Sequence, residues 1–409
     1  MQNKSLKIAV FHLGFFFSGG GEKLVIEEAL GLSRMGHSVD LYGPVIDVKK
    51  CFPDLIKKVN VKPLFYSFGF HFPLRDFIAI TFSIIFAPLT FWRFKKYDIF
   101  FGANQPGPVI CYFLSRILKK PYVIYLAQPT RLLYPREIDR RVGFGKGSFD
   151  AFYILTKIFK PLVYFIDKLS ITQANAICAN GNYIADILNK TYGIKTIVCP
   201  AGTHIPKTVL SQSDRWSGGV RIGKSYIKKP YILVTNRHFP QKKFEYAIHT
   251  LKYLIKRFQA VNLVITGAPT AYTQKIVRLS HKLGVFDLVF FLGLVNEADL
   301  TKLYKNACLY LYTSPQEDFG MGVIEAMAAG IPVVAWDSAG PKTTVINGKT
   351  GFLAKKEDIN DFSSKALIIL KDKRLSESLG EGARRQAYRY SYGKHIEILS
   401  QTLENSLKP

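Results

Sequence analysis

Short apolar runs alternate along this sequence with longer amphipathic stretches, and the alternation starts again halfway along the chain. The first series is KIAVFHL, SVDLYG, DIFFGA, YVIYLA, AICAN and TIVCP, and the second is YILVTN, NLVITGA, LVFFLG, CLYLYTS, PVVAW and GFLA. The runs are bounded by Gly, Pro, Asn or Asp, and helical patterns such as GEKLVIEEALGLSRMGH lie between them. This alternation predicts two α/β domains, each with a doubly wound parallel sheet covered on both faces.

A loop-like stretch at 206–230, PKTVLSQSDRWSGGVRIGKSYIKKP, separates the two series. The chain of 409 residues is long enough for two domains, each with its own core. We predict a Rossmann-like domain at 1–205, a second at 206–388, and a C-terminal helix at 389–409 that packs back on the first domain. Ligands of such sheets bind at the carboxyl ends of the strands, here in the cleft between the domains.

Cysteine usage and the N-terminal residues indicate the compartment. The five cysteines are far apart, odd in number and without a Cys-x-x-Cys pair, so neither a disulfide framework nor a zinc site is indicated. The first apolar run is short and leads into SGGGEK without a small-residue cleavage site, so we interpret it as a buried strand rather than a signal peptide. A reducing cytoplasm fits this pattern.

The net charge of +26 favours anionic partners, which include nucleotide phosphates, nucleic acids and anionic membranes. Between Arg75 and Lys146 there are 12 basic and 4 acidic residues, and this stretch contains the apolar run FIAITFSIIFAPLTFW, Phe77 to Trp92. The run is shorter than the roughly 20 residues of a membrane-spanning helix and contains Pro88. It fits a buried helix as well as a surface that dips into an anionic leaflet.

Glycines follow the first predicted strand in FHLGFFFSGGGEKL. Gly20 and Gly21 precede a helix that we expect to start near Glu22, so the backbone at this turn can approach an anion or a sugar ring closely. The turn is not the Gly-x-Gly-x-x-Gly fingerprint of dinucleotide-binding domains, and any Rossmann-like domain can have a similar one.

Two strand ends in the second half carry polar or flexible residues. In VTNRHFPQKK, Arg237 and Lys242 lie on one loop and can converge on a diphosphate, although such residues are often simply solvated. In VFFLGLVNEADL, Gly293 frees the backbone, and Glu297 to Leu300 opens a helix. This stretch forms either a wall for a nucleobase or an ordinary βα unit.

The stretch QEDFGMGVIEA supplies two carboxylates eight positions apart. Glu317 falls in the loop after a strand, Gly320 and Gly322 permit a close approach, and Glu325 is expected in the first turn of a helix that begins near Val323. Carboxylates accept hydrogen bonds from hydroxyl pairs, and the amides between them face a phosphate. The pattern therefore indicates a nucleotide-sugar site, although Glu325 could instead complement the helix dipole alone.

In order and spacing, NRHFPQKK, VFFLGLVNEADLTKLYKNA, SPQEDFGMGVIEAMAAGIPVVAW and SAGPKTTVINGKTGFL resemble the donor half of the retaining GT-B glycosyltransferases of family four. With SGGGEK and AICANGNYIADILNKTYGIKTIVCPAG, the likeness covers nearly the whole chain. That family includes lipid-directed mannosyltransferases and many bacterial polysaccharide and lipopolysaccharide transferases. The resemblance implies a GT-B fold of two Rossmann-like domains.

The resemblance also implies roles for individual residues. Arg237 and Lys242 would bind the donor diphosphate and stabilise the leaving group, and Glu317 would contact the transferred sugar. Glu325 would hold the ribose hydroxyls, and Gly20 and Gly21 would let the first loop approach the reaction centre. The remaining donor-binding positions are Gly293, next to the expected nucleobase wall, and a stretch of backbone near the sugar and phosphates. That stretch comprises Phe319, Gly320, Met321, Gly322 and Val323. Neither cofactor nor metal is expected, and the sequence has no Asp-x-Asp pair.

The stretch YLAQPTRLLYP departs from the family pattern. Many relatives have a histidine two residues before the proline, where it contacts the sugar or acceptor, and Ala127 stands there instead, while Pro129 and Arg131 match. Gln128 can supply a hydrogen bond but no proton transfer near neutral pH, so we expect Gln128 and Arg131 to serve an altered acceptor site.

We therefore predict a retaining hexosyltransferase, mannose or glucose type, that uses a nucleotide-diphosphate sugar such as GDP-mannose. Its acceptor would be a lipid-linked or polysaccharide glycan, reached at the cytoplasmic face of an anionic membrane. The alternatives are a catalytically inactive nucleotide-sugar-binding protein and a transferase with a soluble acceptor. A nucleic-acid-binding protein would explain the charge but not the carboxylate pair, and the sequence lacks an aromatic-and-basic recognition motif.

Overall fold

The computed structural model describes residues 5–64, 82, 84–131, 133–142, 159–258 and 261–408. The chain divides into two compact units. Unit 1 comprises Met1–Arg136, Gly143–Gly202 and Tyr392–Pro409, and unit 2 comprises Glu137–Val142 and Thr203–Ser391. The sequence-based boundaries lay at 205/206 and 388/389, whereas the chain passes between the units at 202/203 and 391/392. In addition, the segment Glu137–Val142 of the first half belongs to unit 2.

Unit 1 contains a seven-stranded sheet of order β3-β2-β1-β4-β5-β6-β7, in which all neighbouring strands are parallel. Its strands are β1 Lys7–His12, β2 Ser38–Gly43, β3 Asn60–Pro63, β4 Ile99–Ala103, β5 Tyr122–Leu126, β6 Ala176–Ala179 and β7 Ile197–Val198. Only β3 was not predicted, because its four residues are polar or partly exposed and end in proline.

The helices of unit 1 cover its sheet and supply the amphipathic patterns seen in the sequence. They span Gly20–Arg34, Pro53–Ile56, Gly107–Leu118, Lys160–Thr172, Asn182–Tyr192 and Tyr392–Asn405, with a 3₁₀ helix at Ala87–Phe94. The central strands β4 and β5 are buried along their whole length, as expected for a parallel sheet with helices on both faces.

The helix Tyr392–Asn405 packs on unit 1 although it follows unit 2 in the chain. Gly31 of the helix Gly20–Arg34 lies directly against Ile396, so a side chain at position 31 would overlap it. Buried His395 donates a hydrogen bond from Nδ1 to the Pro200 carbonyl at 2.8 Å, and its Nε2 lies 3.0 Å from a carboxylate oxygen of Glu28. Packing and buried polar contacts thus hold this helix in the first unit.

Unit 2 contains a six-stranded sheet of order β12-β11-β10-β13-β14-β15, again with all neighbours parallel. Its strands are β10 Tyr231–Thr235, β11 Asn262–Thr266, β12 Val289–Gly293, β13 Leu309–Tyr312, β14 Val333–Trp336 and β15 Gly351–Ala354. All six coincide with predicted runs.

Helices follow each strand of this six-stranded sheet and close the two core layers of unit 2. They span Glu137–Arg141, Gln212–Trp216, Glu245–Ile255, Ala271–Lys282, Glu297–Asn306, Met321–Ala328, Ala339–Thr344, Ile359–Lys371 and Lys373–Ala387, with 3₁₀ helices at Pro240–Lys242, Phe286–Leu288 and Tyr388–Tyr390.

The stretch 206–230 is not a loop, so that part of the prediction was wrong. It contains the short helix Gln212–Trp216 and an antiparallel hairpin of β8 Gly219–Ile222 and β9 Ser225–Lys228. Fully buried Arg215 anchors the stretch, because its guanidinium donates to the carbonyls of Ala307 and Ala329 at 2.9 and 2.6 Å. Its mixed polar and apolar residues gave no periodic signal, and long-range contacts decide the structure.

The apolar run Phe77–Trp92 is described only in part, since residues 77–81 and 83 lie outside the described residues. Its end forms the 3₁₀ helix Ala87–Phe94, which buries Ala87 and Phe94 but leaves Leu89 and Trp92 61% and 60% exposed. The 3₁₀ helix is therefore amphipathic, with one buried and one exposed face. Within the described part of the chain, no helix has both the length and the apolar character required to cross a membrane.

Candidate functional site

The loops after β10 and β13 of unit 2 are bound to one another. These strands are neighbours in the parallel sheet, so their carboxyl ends lie at the same edge. After β13, Thr313 donates its hydroxyl to the Lys242 carbonyl at 2.7 Å and Ser314 donates to the Gln241 carbonyl at 3.3 Å. The loop after β10, which carries Arg237 and Lys242, is thus fixed to the loop that carries Glu317.

Lys242 and Glu317 form an ion pair between the two loops. The ammonium of Lys242 contacts one carboxylate oxygen of Glu317, and the two side chains are only 17% and 14% exposed. Arg237, earlier on the same loop, stacks its guanidinium over the Phe239 ring at 5.1 Å. The structure therefore joins two residues for which the sequence predicted separate partners, a diphosphate and a sugar.

The backbone on both sides of Glu317 is held from two directions. The carbonyl of Glu317 accepts a hydrogen bond from the Gly340 amide at 2.8 Å, and the side chain of Gln316 accepts one from the Ile138 amide at 3.0 Å. Buried Tyr312 of β13 also lies beside Glu317, and burial, reinforced by this carboxylate, raises the pKa of the Tyr312 phenol well above its usual value. These contacts order the loop before any ligand binds.

The helix Met321–Ala328 begins earlier than the sequence indicated. Gly320 is its N-cap with φ of +93°, a left-handed conformation that favours glycine, and Met321 is the first helical residue. The side chain of Phe319 is buried against Tyr390 with ring centroids 5.9 Å apart. Val323 is fully buried and its amide donates to the Gly320 carbonyl at 2.9 Å, so its side chain belongs to the core.

Gly322 lies against a tyrosine hydroxyl. A Cβ atom at this position would overlap the Tyr310 hydroxyl and would lie 3.0 Å from Oγ1 of Thr235. The sequence indicated a close approach at Gly322, and this contact with β13 and β10 gives a structural reason for glycine. Gly293, at the end of edge strand β12, has φ of +64°, and its carbonyl accepts a hydrogen bond from the Gly267 amide at 2.9 Å.

Glu325 lies in the second turn of its helix rather than in the first, so that detail of the prediction was wrong. One of its carboxylate oxygens accepts a hydrogen bond from the Tyr304 hydroxyl at 2.8 Å. Tyr304 belongs to the helix Glu297–Asn306, and burial raises the pKa of its phenol well above the usual value. The carboxylate is therefore tied to a second helix.

In unit 1, Gly20 and Gly21 are the first residues of the helix Gly20–Arg34, which starts two residues before the predicted Glu22. Gly21 lies over the ring of His12, the last residue of β1, since a Cβ at position 21 would be 3.9 Å from Nε2. The Nδ1 atom of His12 lies 2.9 Å from the Gly14 carbonyl, and burial lowers the pKa of this imidazole to about 4. His12 is thus neutral at pH 7.

The stretch after β5 is also pinned in unit 1. The amide of Ala127 donates to the side chain of Asn104 at 2.9 Å, and Arg131 donates from Nε to the Gln128 side chain at 2.9 Å. Thr130 donates to buried Asp167, where burial raises the pKa of the carboxyl above its usual value. Gln128 and Arg131 therefore come together, and among the described residues Ala127 takes part through its backbone amide.

Several polar residues of the site in unit 2 were not predicted. They are Thr235, Tyr304, Tyr312 and Gln316. The alternation in LYLY placed two tyrosines on one face of a buried strand, where hydroxyl groups need partners, and this was the available signal.

Comparisons with known proteins agree with this architecture. Residues 221–386 match the family described as glycosyl transferases group 1. An alpha-1,3/1,6-mannosyltransferase, ALG2, of Dictyostelium discoideum is 23% identical over 97% of each chain. A GDP-Man:Man(3)GlcNAc(2)-PP-Dol alpha-1,2-mannosyltransferase of the same organism is 28% identical over 55% of this chain and 47% of its own.

A similar fold occurs in HepE of Anabaena, whose structure contains UDP and glucose. It superposes with a TM-score of 0.73 and 18% identity, over 98% of this chain and all of that one. At this level of identity the likeness concerns the fold alone.

Proposed function

We propose that this chain, a glycosyltransferase whose residues 221–386 match the group 1 glycosyl transferases, transfers mannose from GDP-mannose to a lipid-linked glycan with retention of configuration. In unit 2 the proposed catalytic residues are Arg237, Lys242 and Glu317, and Glu325 binds the donor ribose. In unit 1, Gly20, Gly21, Gln128 and Arg131 serve the acceptor or the reacting phosphate.

The pairing of Lys242 with Glu317 at the joined ends of β10 and β13 carries the proposal. A cation for the diphosphate and a carboxylate for the sugar hydroxyls must lie side by side, because the bond that breaks joins these two parts of the donor. Positive charge next to the leaving phosphate stabilises the negative charge that develops on it. The ordered loops keep both groups in position, which limits the reorganisation needed during transfer.

Two of the relatives support the choice of substrates. The ALG2 relative, whose match covers 97% of each chain, is named a mannosyltransferase. The name of the second Dictyostelium relative contains GDP-Man and a PP-Dol-linked glycan. We extend that donor and that acceptor class to this chain. Because the charges of Arg237 and Lys242 can neutralise the diphosphate, we propose that the reaction needs no metal, which a transfer assay with added EDTA tests.

Calorimetric titration with GDP tests the donor site. Arg237→Ala and Lys242→Ala should each weaken GDP binding by about 10- to 100-fold, since each removes a charge-assisted hydrogen bond of about 1.5–3 kcal/mol. Lys252→Ala removes one charge from a helix of the same unit and should leave the affinity unchanged. Unchanged affinity in both of the first two variants would refute the diphosphate role.

A transfer assay separates the enzyme from the alternatives. We expect radiolabelled mannose to move from GDP-mannose to a synthetic lipid-pyrophosphate glycan, with the α-linkage of the donor preserved. Transfer to a soluble glycan alone would favour the soluble-acceptor alternative. GDP binding without transfer to either acceptor would favour an inactive nucleotide-sugar-binding protein.

We also propose that unit 1 binds an anionic membrane surface through two elements that pack on the same helix. The 3₁₀ helix Ala87–Phe94 exposes Leu89 and Trp92, and the helix Lys160–Thr172 exposes Leu162 and Phe165. Both elements pack against the helix Gly107–Leu118. Exposed apolar side chains beside basic residues suit an interface with anionic lipid.

Not every basic residue near this surface is available for lipid. Arg93 donates to the backbone carbonyls of Leu64 and Pro63 at 2.7 and 3.2 Å, and Lys96 lies 3.6 Å from Asp40. Glutamate at these two positions would disturb unit 1 itself. Lys95 is the better test, since the contact of its ammonium within the described part of the chain is with the Phe91 ring, whose centroid is 5.5 Å away.

Sedimentation with vesicles tests the membrane proposal. Binding should rise with the fraction of phosphatidylglycerol, fall with salt, and weaken in Lys95→Glu and in the double variant Leu89→Ser/Trp92→Ser. Leu294→Ser is the matched control, because Leu294 is 64% exposed but belongs to unit 2. Equal and negligible binding to neutral and anionic vesicles at low salt would contradict the proposal.

A further inference from the structure

A chain of hydroxyl groups lies beneath Glu325 in unit 2. The Tyr304 hydroxyl is 2.8 Å from the Glu325 carboxylate and 2.8 Å from Oγ1 of Thr235, and this oxygen is 2.7 Å from the Tyr310 hydroxyl. Tyr304 and Tyr310 are buried, at 6% and 0% exposure, so water does not compete for these bonds. Three elements contribute: the end of β10, the strand β13 and the helix Glu297–Asn306.

The carboxylate of Glu325 determines which hydroxyl donates and which accepts at each hydrogen bond of this chain of hydroxyl groups. A carboxylate only accepts hydrogen bonds, so the single proton of the Tyr304 hydroxyl goes to Glu325. The Tyr304 oxygen must then accept from Thr235, and Thr235 in turn accepts from Tyr310. Each hydroxyl that donates while it accepts is polarised by its neighbour, so the chain strengthens the last bond, the one to Glu325.

An ordered carboxylate at position 325 favours binding, because a binding residue loses rotational freedom when its ligand arrives. The terminal torsion of a glutamate is broad, so an unrestrained glutamate samples many orientations, and ordering it on ligand binding costs free energy. The hydroxyl of Tyr304 fixes Oε2 before the ligand arrives. This bond pre-organises the carboxylate for recognition of a pair of hydroxyls.

We propose that Tyr304 is a positioning residue that holds Glu325 for the donor ribose and so sets the preference for ribonucleotides over dideoxyribonucleotides. The inference rests on the proposed function, in which Glu325 binds the ribose. It adds that this recognition depends on a tyrosine in a different helix, and that Thr235 contributes through Tyr304.

The test compares the affinities of GDP and 2′,3′-dideoxy-GDP, because only GDP carries both ribose hydroxyls. The wild-type chain should favour GDP by at least about tenfold, the effect of losing hydrogen bonds to a charged group. In Tyr304→Phe this ratio should fall about threefold or more, with the dideoxy affinity unchanged. Thr235→Val, which removes the donor to Tyr304, should lower the ratio in the same direction by a smaller factor.

Tyr310→Phe is the matched control. It also removes a buried hydroxyl that bonds Thr235, but this hydroxyl does not reach Glu325, so the ratio should stay within about twofold of the wild-type value, because removing an indirect neighbour costs only part of one bond. If Tyr304→Phe weakens both nucleotides equally, Tyr304 is only structural and the inference is wrong.

The proposed function fails in a different way. If Glu325→Gln keeps the wild-type ratio, Glu325 does not bind the ribose, and both the ribose role and the inference are refuted. If Glu325→Gln abolishes the preference while Tyr304→Phe retains it, the ribose role stands and only the role of Tyr304 is refuted. Thermal unfolding of each variant identifies any that does not fold, and Thr235→Val then decides for Tyr304.

Discussion

The ion pair between Lys242 and Glu317 makes an unusual prediction for the substitution Glu317→Gln. In the proposed function Lys242 binds the donor diphosphate, yet in the structure its ammonium contacts Glu317. A diphosphate must therefore compete with this carboxylate. We expect Glu317→Gln to bind GDP more tightly than the wild-type chain and to transfer mannose far more slowly.

The magnitude follows from the environment of the pair. Both side chains are more than four-fifths buried, so solvent screens their contact little. A hydrogen bond with a charged partner is worth about 1.5–3 kcal/mol, and one with the neutral amide of glutamine about 0.5–1.5 kcal/mol. Release of Lys242 should strengthen GDP binding by about 1 kcal/mol, which is about fivefold. Loss of a contact in the transition state should lower turnover by about 100-fold.

Calorimetry on a double-mutant cycle checks this reasoning. Lys242→Met should weaken GDP binding, and Glu317→Gln should have no further effect in that background, because the competition it relieves no longer exists. Glu325→Gln serves as the contrast and should weaken GDP binding. If Glu317→Gln weakens GDP binding as much as Glu325→Gln does, or if its effect persists without Lys242, Glu317 contacts the nucleotide directly and the reasoning is refuted.

Three further predictions concern stability. Arg215→Met should lower the free energy of unfolding, measured with urea, by about 2 kcal/mol. Two buried carbonyls lose donors worth about 1–3 kcal/mol each, and the variant no longer buries a charge, which offsets only part of that loss. An equally stable variant would contradict this. Gly322→Ala should lower the melting temperature, because its Cβ overlaps the Tyr310 hydroxyl, and Tyr310→Phe in the same chain should restore part of the loss. Burial lowers the pKa of His12 to about 4 from 6.5, so the unfolded chain binds more protons between these values and stability falls as pH drops through that window. The free energy of unfolding, measured with urea, should differ less between pH 7 and pH 4.5 in His12→Gln than in the wild-type chain, by about 2.5 kcal/mol. An unchanged difference would show that His12 does not titrate this way.

The strands were predictable because burial on both faces of a parallel sheet leaves a simple trace, a short apolar run between turn residues. All six parallel strands of unit 2 left such a trace, whereas β3 at the edge of its sheet did not, since its residues are partly exposed. The hairpin of β8 and β9 was missed for the same reason, with only Ile222 and Ile227 buried.

The contacts inside the site were harder to predict than the residues. Residue type and spacing singled out Arg237, Lys242, Glu317 and Glu325. Hydrophobic periodicity predicts individual strands, however, and does not predict their order in the sheet. Because β10 and β13 are neighbours although β11 and β12 lie between them in sequence, Lys242 reaches a carboxylate 75 positions away. The hydroxyl chain to Glu325 depends on the same unpredicted adjacency.

The return of the helix Tyr392–Asn405 to unit 1 has a consequence for biosynthesis. The ribosome makes the seven strands of unit 1 first, then the whole of Thr203–Ser391, and only afterwards the helix that covers Gly31 and places His395 against Glu28. Domains otherwise tend to fold in order of their synthesis. Here the first unit to emerge completes its core only after the second has been made. Until then Ile396 does not cover the surface around Gly31, and this part of unit 1 stays exposed throughout the translation of unit 2.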